Sequence, residues 1–263
     1  EHENIIRIDV DNSKQPNSRW YSGSGIYRDV NLWTGKDVYI SHDKLRITTL
    51  SVNDDMAVIE VCAQLKNIIG HGLEAECLIE IKKDGQKTAS DTQRVVFRSE
   101  QMQTVRVQIP IEHPKKWSPK QPALYECHIT TKFDDKICDE AVSNFGIRVL
   151  ALDPVRGLQI NGETVKLRGT CIHHDNGVIG AETFKEAEWY RCKRLKEAGF
   201  NAIRSAHHPM SRAMLDACDH IGMLVMDELT DMWDKEKNTY DFSDIFEDEY
   251  NQWINHMVEK DYN

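Results

Sequence analysis

Three segments decide the fold of this chain: VKLRGTCIHHDNG (residues 165–177), FNAIRSAHHPM (residues 200–210) and GMLVMDELTDMW (residues 222–233). Each is a short apolar run that ends in a cluster of His, Arg, Asp or Glu, and the first two lead into helix-like patterns. An Asn161-Gly162 turn, a strong hairpin signal, precedes the first run. The alternation is typical of βα units in a parallel sheet, in which ligands bind at the carboxyl ends of the strands.

Local signals place the helices between and after these strands. Thr183 to Glu186 matches a capping box, and the helix that it opens is expected to end at Gly199. Residues 212–220 carry the next amphipathic pattern, and Gly222 stops it. A second capping box at Asp244 to Glu247 predicts a final helix.

The preceding part of the chain divides into two β regions. Residues 1–35 contain β-branched runs and glycine turns but too few strands to bury a core, so we interpret them as the tail of a β domain. Residues 36–149 contain roughly seven short alternating runs, which predict an immunoglobulin-like sandwich. Asp84-Gly85 is a hairpin turn within it, and Trp117 is expected to pack against it. Residues 150–263 then hold the βα units.

Composition limits the classes of partner. The 263 residues include 43 acidic and 33 basic side chains, a net charge of −10. This balance argues against nucleic acid and against an anionic membrane surface, since both select clustered Lys and Arg. The sequence contains no apolar run of roughly 18 residues, so membrane insertion is not predicted. Residues 1–12 show no signal segment, although a precursor can have carried one, so a soluble protein is expected and the cytoplasm, the periplasm and secretion stay open.

The seven cysteines occur singly, without a Cys-x-x-Cys pair, so a structural zinc site is not predicted. Several lie on apparent strand interiors, where a free thiol packs as a small apolar group. We expect reduced thiols and leave open one disulfide among Cys62, Cys77, Cys127 and Cys138.

Paired histidines at two strand ends are the first candidates for a functional site. His173, His174 and Asp175 follow the first strand, where they form either a plain polar loop or the wall of a pocket. His207 and His208 follow the second strand. Because neighbouring parallel strands end at the same edge of a sheet, the two pairs together favour the pocket.

Charged residues at the second and third strand ends extend this candidate site. Arg204 ends an otherwise apolar strand, where an unpaired charge is costly, so a carboxylate partner is expected. The natural partner is a carboxylate at a neighbouring strand end, namely Asp227, Glu228 or one not yet seen. Asp227 and Glu228 must point to opposite faces of the sheet. The alternative is an internal ion pair without a catalytic role. Trp233, in the next loop, forms either a sugar-stacking wall or a packing contact.

Together these residues resemble glycoside hydrolase family 2, the family of β-galactosidases and β-glucuronidases. Residues 18–30 resemble the end of its jelly-roll sugar-binding domain, and residues 161–175 resemble the start of its (β/α)8 TIM barrel. Residues 201–209 and 218–228 resemble the second and third barrel strands. The resemblance implies the end of a jelly roll, an immunoglobulin-like sandwich and the first three βα units of a TIM barrel.

The resemblance also implies an activity, the hydrolysis of terminal non-reducing β-linked sugars, β-galactosides foremost, by a retaining mechanism with two glutamates. In the family these glutamates lie on the fourth and seventh barrel strands, so the resemblance places both beyond Asn263 and implies an inactive fragment. It assigns Arg204 to keep a catalytic carboxylate ionised, and His207 and His173 to sugar hydroxyls. Further candidates for sugar contact or support are His174, Asp175, Glu228 and Trp233.

Other functions stay open at this point. A β-glucuronidase or β-mannosidase of the same family would use the same barrel, a non-catalytic carbohydrate-binding or scaffold module would need only a pocket, and a His-based metallohydrolase would hold a metal. The family's magnesium ligands, a Glu and a His after the third strand, have no counterpart in residues 229–233, so no metal or other cofactor is predicted. The expected partner is a carbohydrate, and an open strand edge after the third strand leaves a homo-oligomer open.

Overall fold

The computed structural model describes residues 4–19, 23–99 and 101–262. No helix or strand is present in the described residues before Val38, so the predicted β structure of residues 1–35 is wrong for that part. Ile5 and Ile6 are 80% and 86% exposed. A strand needs a neighbour for its backbone N–H and C=O groups, and none of the described strands pairs with this segment. Residues 20–22, within the stretch that resembles a jelly roll, lie outside the described residues.

An antiparallel sandwich follows, as predicted, with two four-stranded sheets. One sheet has the order β1-β3-β2 with β6 also paired to β3, and the other has the order β5-β4-β7-β8. The strands are β1 Val38–Ile40, β2 Arg46–Val52, β3 Met56–Asn67, β4 Leu73–Lys83, β5 Gln86–Phe97, β6 Met102–Glu112, β7 Leu124–Phe133 and β8 Lys136–Gly146. Alternate residues of these strands face the core between the sheets, which gives β3 its strict alternation of buried and half-exposed positions.

Both predicted hairpin turns are confirmed. Asp84 and Gly85 join β4 to β5 with φ of +52° and +77°. Asn161 and Gly162, with φ of +53° and +82°, close a hairpin in a small sheet of β9 Leu150–Asp153, β10 Gly157–Ile160 and β11 Glu163–Thr164. Two consecutive positive φ values are the geometry that matches the twist of the flanking strands, and Asn-Gly and Asp-Gly adopt it at low cost.

The third region is the start of a parallel barrel. Its strands have the order β12-β13-β14, all parallel, and Ala202 is aligned with Gly169 on one side and Leu224 on the other. The elements are β12 Gly169–Ile172, α1 Lys185–Glu197, β13 Ala202–Ser205, α2 Arg212–Ile221, β14 Leu224–Met226 and α3 Ser243–Asp261. Buried side chains of α1 and α2, among them Cys192 and Met214, pack with Ile203 of the sheet.

Helix starts differ from the prediction. The Thr183 capping box is wrong, because α1 begins at Lys185 without a side-chain cap. The Asp244 capping box is also wrong, because α3 begins at Ser243. Asp241 meets the need for an acceptor there, since its carboxylate accepts from the Ser243 backbone N–H at 2.9 Å. None of the helices in the described part of the chain is both long and apolar enough to cross a membrane.

Trp117 joins the sandwich to the barrel. Trp117 is 1% exposed. It packs so closely against β8 that a Cβ added to Gly146 would lie 2.7 Å from the Cβ of Trp117. Its indole Nε1 donates to the carbonyl of Asp219 in α2 at 2.8 Å. The guanidinium of Arg148 lies 4.6 Å from the centre of the indole. The predicted contact with the sandwich is therefore confirmed, and the same side chain also holds the barrel.

Candidate functional site

The carboxyl ends of β12, β13 and β14 bring the predicted polar residues together. Glu228 is at the centre: one carboxylate oxygen accepts from Arg204 Nε, and the other lies 3.2 Å from His207 Nδ1. The hydrogen bond to Glu228, and then the contact with Cys171, raise the pKa of Arg204. Of the partners expected for Arg204, the structure shows Glu228.

Asp227 faces away from this network. Its two carboxylate oxygens accept from the backbone N–H of Met210 at 2.9 and 3.1 Å, and Lys260 Nζ lies 3.6 Å away. Successive residues of an extended chain point to opposite sides, so Asp227, directly after β14, ties the loop after β13 on one side while Glu228 contacts Arg204 and His207 on the other. The two carboxylates therefore cannot act as a catalytic pair.

Asp231 is a member of the network that the sequence did not reveal. It is buried and accepts two hydrogen bonds from Arg19, at 2.6 and 2.7 Å, and one from Lys237 Nζ at 3.1 Å. Its Oδ1 lies 4.0 Å from His207 Nδ1. Burial alone would raise the pKa of Asp231, but the hydrogen bonds from Arg19 and Lys237 outweigh burial and hold it below its usual range.

The two histidine pairs meet in space, as the strand ends require. The rings of His173 and His207 lie edge to face with centroids 5.4 Å apart, and those of His174 and His208 lie 4.1 Å apart. Burial, the nearby His207 and Arg191 lower the pKa of His173. The His173–His207 pair lies on the Glu228 side of the strand ends.

His174 belongs to a buried support. It is 5% exposed, and Arg28 Nη2 donates to its Nδ1 at 2.8 Å and to the carbonyl of Pro209 at 2.7 Å. Burial, His208 and Arg28 lower the pKa of His174 to about 2, and burial followed by Arg28 lowers the pKa of His208 to about 4. This burial argues against the predicted sugar contact for His174.

The remaining two candidates lie in loops. Asp175 is exposed, and its Oδ1 accepts from the Gly177 backbone N–H at 3.0 Å, which fixes the turn after β12. Trp233 is 61% exposed, and its Nε1 donates to the carbonyl of Thr230 at 2.9 Å.

In the ranges 4–19, 23–99 and 101–262, no three His, Cys, Asp or Glu side chains are placed to hold a metal ion together.

All seven cysteines are free thiols. Burial raises the pKa of the Cys77 and Cys127 thiols to about 12, so neither ionises near neutral pH.

A cavity of about 810 Å³ lies away from the Glu228 network, between the sandwich and the barrel. Charged residues from both regions line it, including Arg148, Arg212, Asp219 and Asp261. Burial raises the pKa of Asp219 to about 6, and burial followed by a hydrogen bond with Asp227 raises the pKa of Asp261 to about 6. The cavity lies at the interface between the sandwich and the barrel rather than at the carboxyl ends of β12 to β14.

Comparison with known proteins gives two consecutive family matches. Residues 38–148 match the model of glycosyl hydrolases family 2, and residues 155–261 match the TIM barrel domain of glycosyl hydrolases family 2. The chain is 32% identical, over 99% of its length, to the β-galactosidase BoGH2A of Bacteroides ovatus, of which it covers 31%.

Solved structures show the same relationship. The chain superposes with a TM-score of 0.88 and 35% identity on a family 2 glycosyl hydrolase from Bacteroides cellulosilyticus, over 94% of this chain and 32% of that one. It superposes with a TM-score of 0.81 and 25% identity on a β-glucuronidase from Bacteroides uniformis, over 97% of this chain and 31% of that one. The chain thus spans about a third of the length of the relatives that it matches.

Proposed function

Because the chain belongs to glycosyl hydrolase family 2, we propose that it forms part of the sugar site of a retaining β-glycosidase that removes terminal, non-reducing β-galactosyl groups. The observation that carries this proposal is the placement of Glu228 between Arg204 and His207 at the ends of parallel strands. Residues 1–35 are proposed as the end of a jelly roll, residues 36–149 as the sandwich and residues 150–263 as part of the barrel.

His207 and His173 are proposed to contact the hydroxyl groups of the sugar. Glu228 faces Nδ1 of His207, which fixes the orientation of the ring. The edge-to-face contact with His173 holds the second ring beside it. Two oriented imidazoles at a strand-end pocket can exchange hydrogen bonds with sugar hydroxyls and strengthen them as charge develops in the transition state.

The catalytic carboxylates are proposed to lie outside residues 1–263. A retaining mechanism needs two carboxyl groups only about 5 Å apart on either side of the glycosidic bond. Asp227 and Glu228, directly after β14, point to opposite sides of the chain, and Glu228 is held by two partners. Arg204 is proposed to keep a catalytic carboxylate ionised in the complete site, as a guanidinium lowers the pKa of a nearby carboxyl group.

The charges around the pocket favour a neutral sugar over a uronic acid. Arg204 is paired with Glu228, and Arg19 and Lys237 are both paired with Asp231. A glucuronide would bring a further carboxylate into a network in which each of these cations already neutralises one. A galactoside needs only hydrogen bonds, which supports β-galactosides as the substrate class.

Titration of the chain with methyl β-galactoside, followed by nuclear magnetic resonance, tests the proposed site. We expect weak binding, with shifts at His207 and Glu228. His207→Gln should raise the dissociation constant about fivefold, since one net hydrogen bond is lost. His220→Gln is the matched control, because His220 lies on α2 and packs against Trp189.

Two results would contradict the proposal. Equal binding by the His207→Gln and His220→Gln variants would remove His207 from the sugar site. Hydrolysis of nitrophenyl β-galactoside by residues 1–263 would show that a catalytic pair lies within this chain.

A further inference from the structure

We propose that Cys192 and Cys218 form an oxidation site, at which a small peroxide converts the two thiols into a disulfide that joins α1 to α2. Hydrogen peroxide is the simplest reactant of this class. The inference is independent of the proposed sugar site, because it concerns the two helices that pack against the parallel sheet rather than the carboxyl ends of its strands.

The two thiols are in contact within the core of the barrel region. Their Sγ atoms lie 3.8 Å apart, although the residues are 26 positions apart in the sequence. Both side chains belong to one buried cluster, with Cys192 0% and Cys218 1% exposed. Since an S–S bond is about 2 Å long, the sulfur atoms must approach by about 1.8 Å. Rotation about the Cα–Cβ bonds moves sulfur atoms over such a range, so the pair is placed to form a disulfide.

The pair is chemically asymmetric, which favours reaction with a peroxide. The hydrogen bond between the two thiols lowers the pKa of Cys192 against the effect of burial, and the charge of Lys196 adds to this lowering. The same hydrogen bond, together with burial, raises the pKa of Cys218. Because a thiolate is the nucleophilic form of cysteine, Cys192 is the attacking group and Cys218 is the second thiol that resolves the product.

The cavity between the sandwich and the barrel gives a small oxidant a route to the pair. Cys218 and Met223 are among the residues that line this cavity of about 810 Å³. Arg148 and Asp219 also line it, so the cavity accepts a polar solute such as hydrogen peroxide. Cys192 lies directly behind Cys218, and the flexible Met223 side chain makes this part of the wall adaptable. A reagent much larger than a peroxide is excluded by the burial of both thiols.

The reaction is balanced with peroxide as its only co-reactant. The Cys192 thiolate attacks one oxygen of hydrogen peroxide, the O–O bond breaks, and hydroxide leaves as a sulfenic acid forms. The Cys218 sulfur then attacks the Cys192 sulfur, the S–O bond breaks, and the hydroxyl group leaves with the Cys218 proton as water. Two electrons pass from the sulfur atoms to the peroxide. Two thiols and one hydrogen peroxide thus give one disulfide and two water molecules.

A second pair of buried thiols provides an internal comparison. Cys77 and Cys127 are each 0% exposed, so they are buried as deeply as the proposed site. Burial raises the pKa of both thiols to about 12. On the neighbouring strands β4 and β7, Cys77 is aligned with Thr131 and Cys127 with Ile81, so the two cysteines are not opposite each other. We therefore expect this pair to stay reduced under conditions that oxidise Cys192 and Cys218.

Peptide mass mapping of the folded chain after treatment with hydrogen peroxide tests the site. The exposed Cys171 is first replaced by Cys171→Ser, so that its thiol does not compete. We expect a peptide pair joined through Cys192 and Cys218, lighter by two hydrogens than the reduced peptides. The thermal midpoint should rise by about 5–10 °C, because the cross-link restricts the unfolded chain, and a dithiol reductant should reverse the rise.

Variants separate the proposed site from general oxidation. Cys192→Ser and Cys218→Ser should each abolish the joined peptides and the rise in the thermal midpoint. Cys138→Ser, which removes another buried thiol in the sandwich, is the matched control and should keep both.

Three results would overturn the inference. The first is a reduced Cys192–Cys218 pair at peroxide concentrations that oxidise Cys171 in the unmodified chain. The second is a sulfinic acid at Cys192 beside a reduced Cys218, and the third is equal oxidation of Cys77 and Cys127. Mass mapping of the unmodified chain carries the test if a variant unfolds. Binding of methyl β-galactoside is measured separately, so neither proposal depends on the outcome of the other.

Discussion

At the scale of single residues, the protonation of His174 and His208 couples the fold to pH. Their pKa values in the folded chain, about 2 and about 4, lie below the ordinary value of 6.5. As the pH falls below 6.5, the unfolded chain takes up protons that the folded chain refuses, so folding is destabilised. The loss continues down to about pH 4 for His208 and about pH 2 for His174.

We therefore expect His174→Asn to flatten the acid side of the stability curve. Asn keeps an acceptor for Arg28 but does not titrate, so between pH 6.5 and 4.5 the free energy of unfolding should fall by about 1 kcal/mol less per pH unit than in the unmodified chain. Denaturant unfolding at several pH values measures this slope. His220→Asn controls for the loss of a histidine, and equal slopes for all three chains would refute the assignment.

At the scale of elements, the end of α2 fixes the barrel against the sandwich. Gly222 has a φ of +81°, and a Cβ there would lie 2.6 Å from the carbonyl oxygen of Pro119. Gly162 has nearly the same φ, +82°, but nothing lies within 4 Å of a Cβ placed there. Substitution of either glycine would thus strain the backbone, because both have a left-handed φ. Only at Gly222 would the added Cβ also collide with the Pro119 backbone.

Gly222→Ala is expected to destabilise the chain by about 2–4 kcal/mol, and Gly162→Ala by only about 1 kcal/mol. The common part is the strain of a left-handed Ala, and the excess is the displacement of the Pro119 backbone. The midpoints of urea unfolding measure the loss of stability in both variants, provided that the dependence of the unfolding free energy on urea concentration is unchanged. If the two variants lose equal stability, the close approach of α2 to Pro119 contributes nothing.

Whether the signal for an element is local decides if that element could be predicted from the sequence. Strands β12 to β14 and helices α1 and α2 were predictable because their periodicity and stop signals, such as Gly222, are local. The start of α3 was not, because its acceptor is Asp241 rather than the capping box. Arg204 and Glu228 were predictable as partners from adjacent strand ends, whereas the Arg19–Asp231 pair joins residues 212 positions apart, and no spacing rule reaches that far.

At the scale of the whole molecule, two partly buried carboxyl groups shift the stability with pH in the opposite direction to the histidines. Asp219 and Asp261 have pKa values of about 6 in the folded chain, above the ordinary 3.8. The folded chain holds these protons when the unfolded chain has released them, so their contribution is present in full below about pH 4 and is lost as the pH rises through 6. Acid therefore weakens the His174–His208 support while it strengthens the interface between the sandwich and the barrel.

Asp219→Asn isolates the interface contribution. Asn cannot ionise, so as the pH rises from 4 to 7 the unmodified chain should lose about 2 kcal/mol relative to the variant. Arg148, which lowers the pKa of Asp219 against the effect of burial, limits the size of this change. Thermal or denaturant unfolding across this range measures the difference, with Asp234→Asn in an exposed loop as the control. Parallel curves for the unmodified chain and Asp219→Asn would show that Asp219 is ionised throughout, and that the interface carries its charge without a penalty.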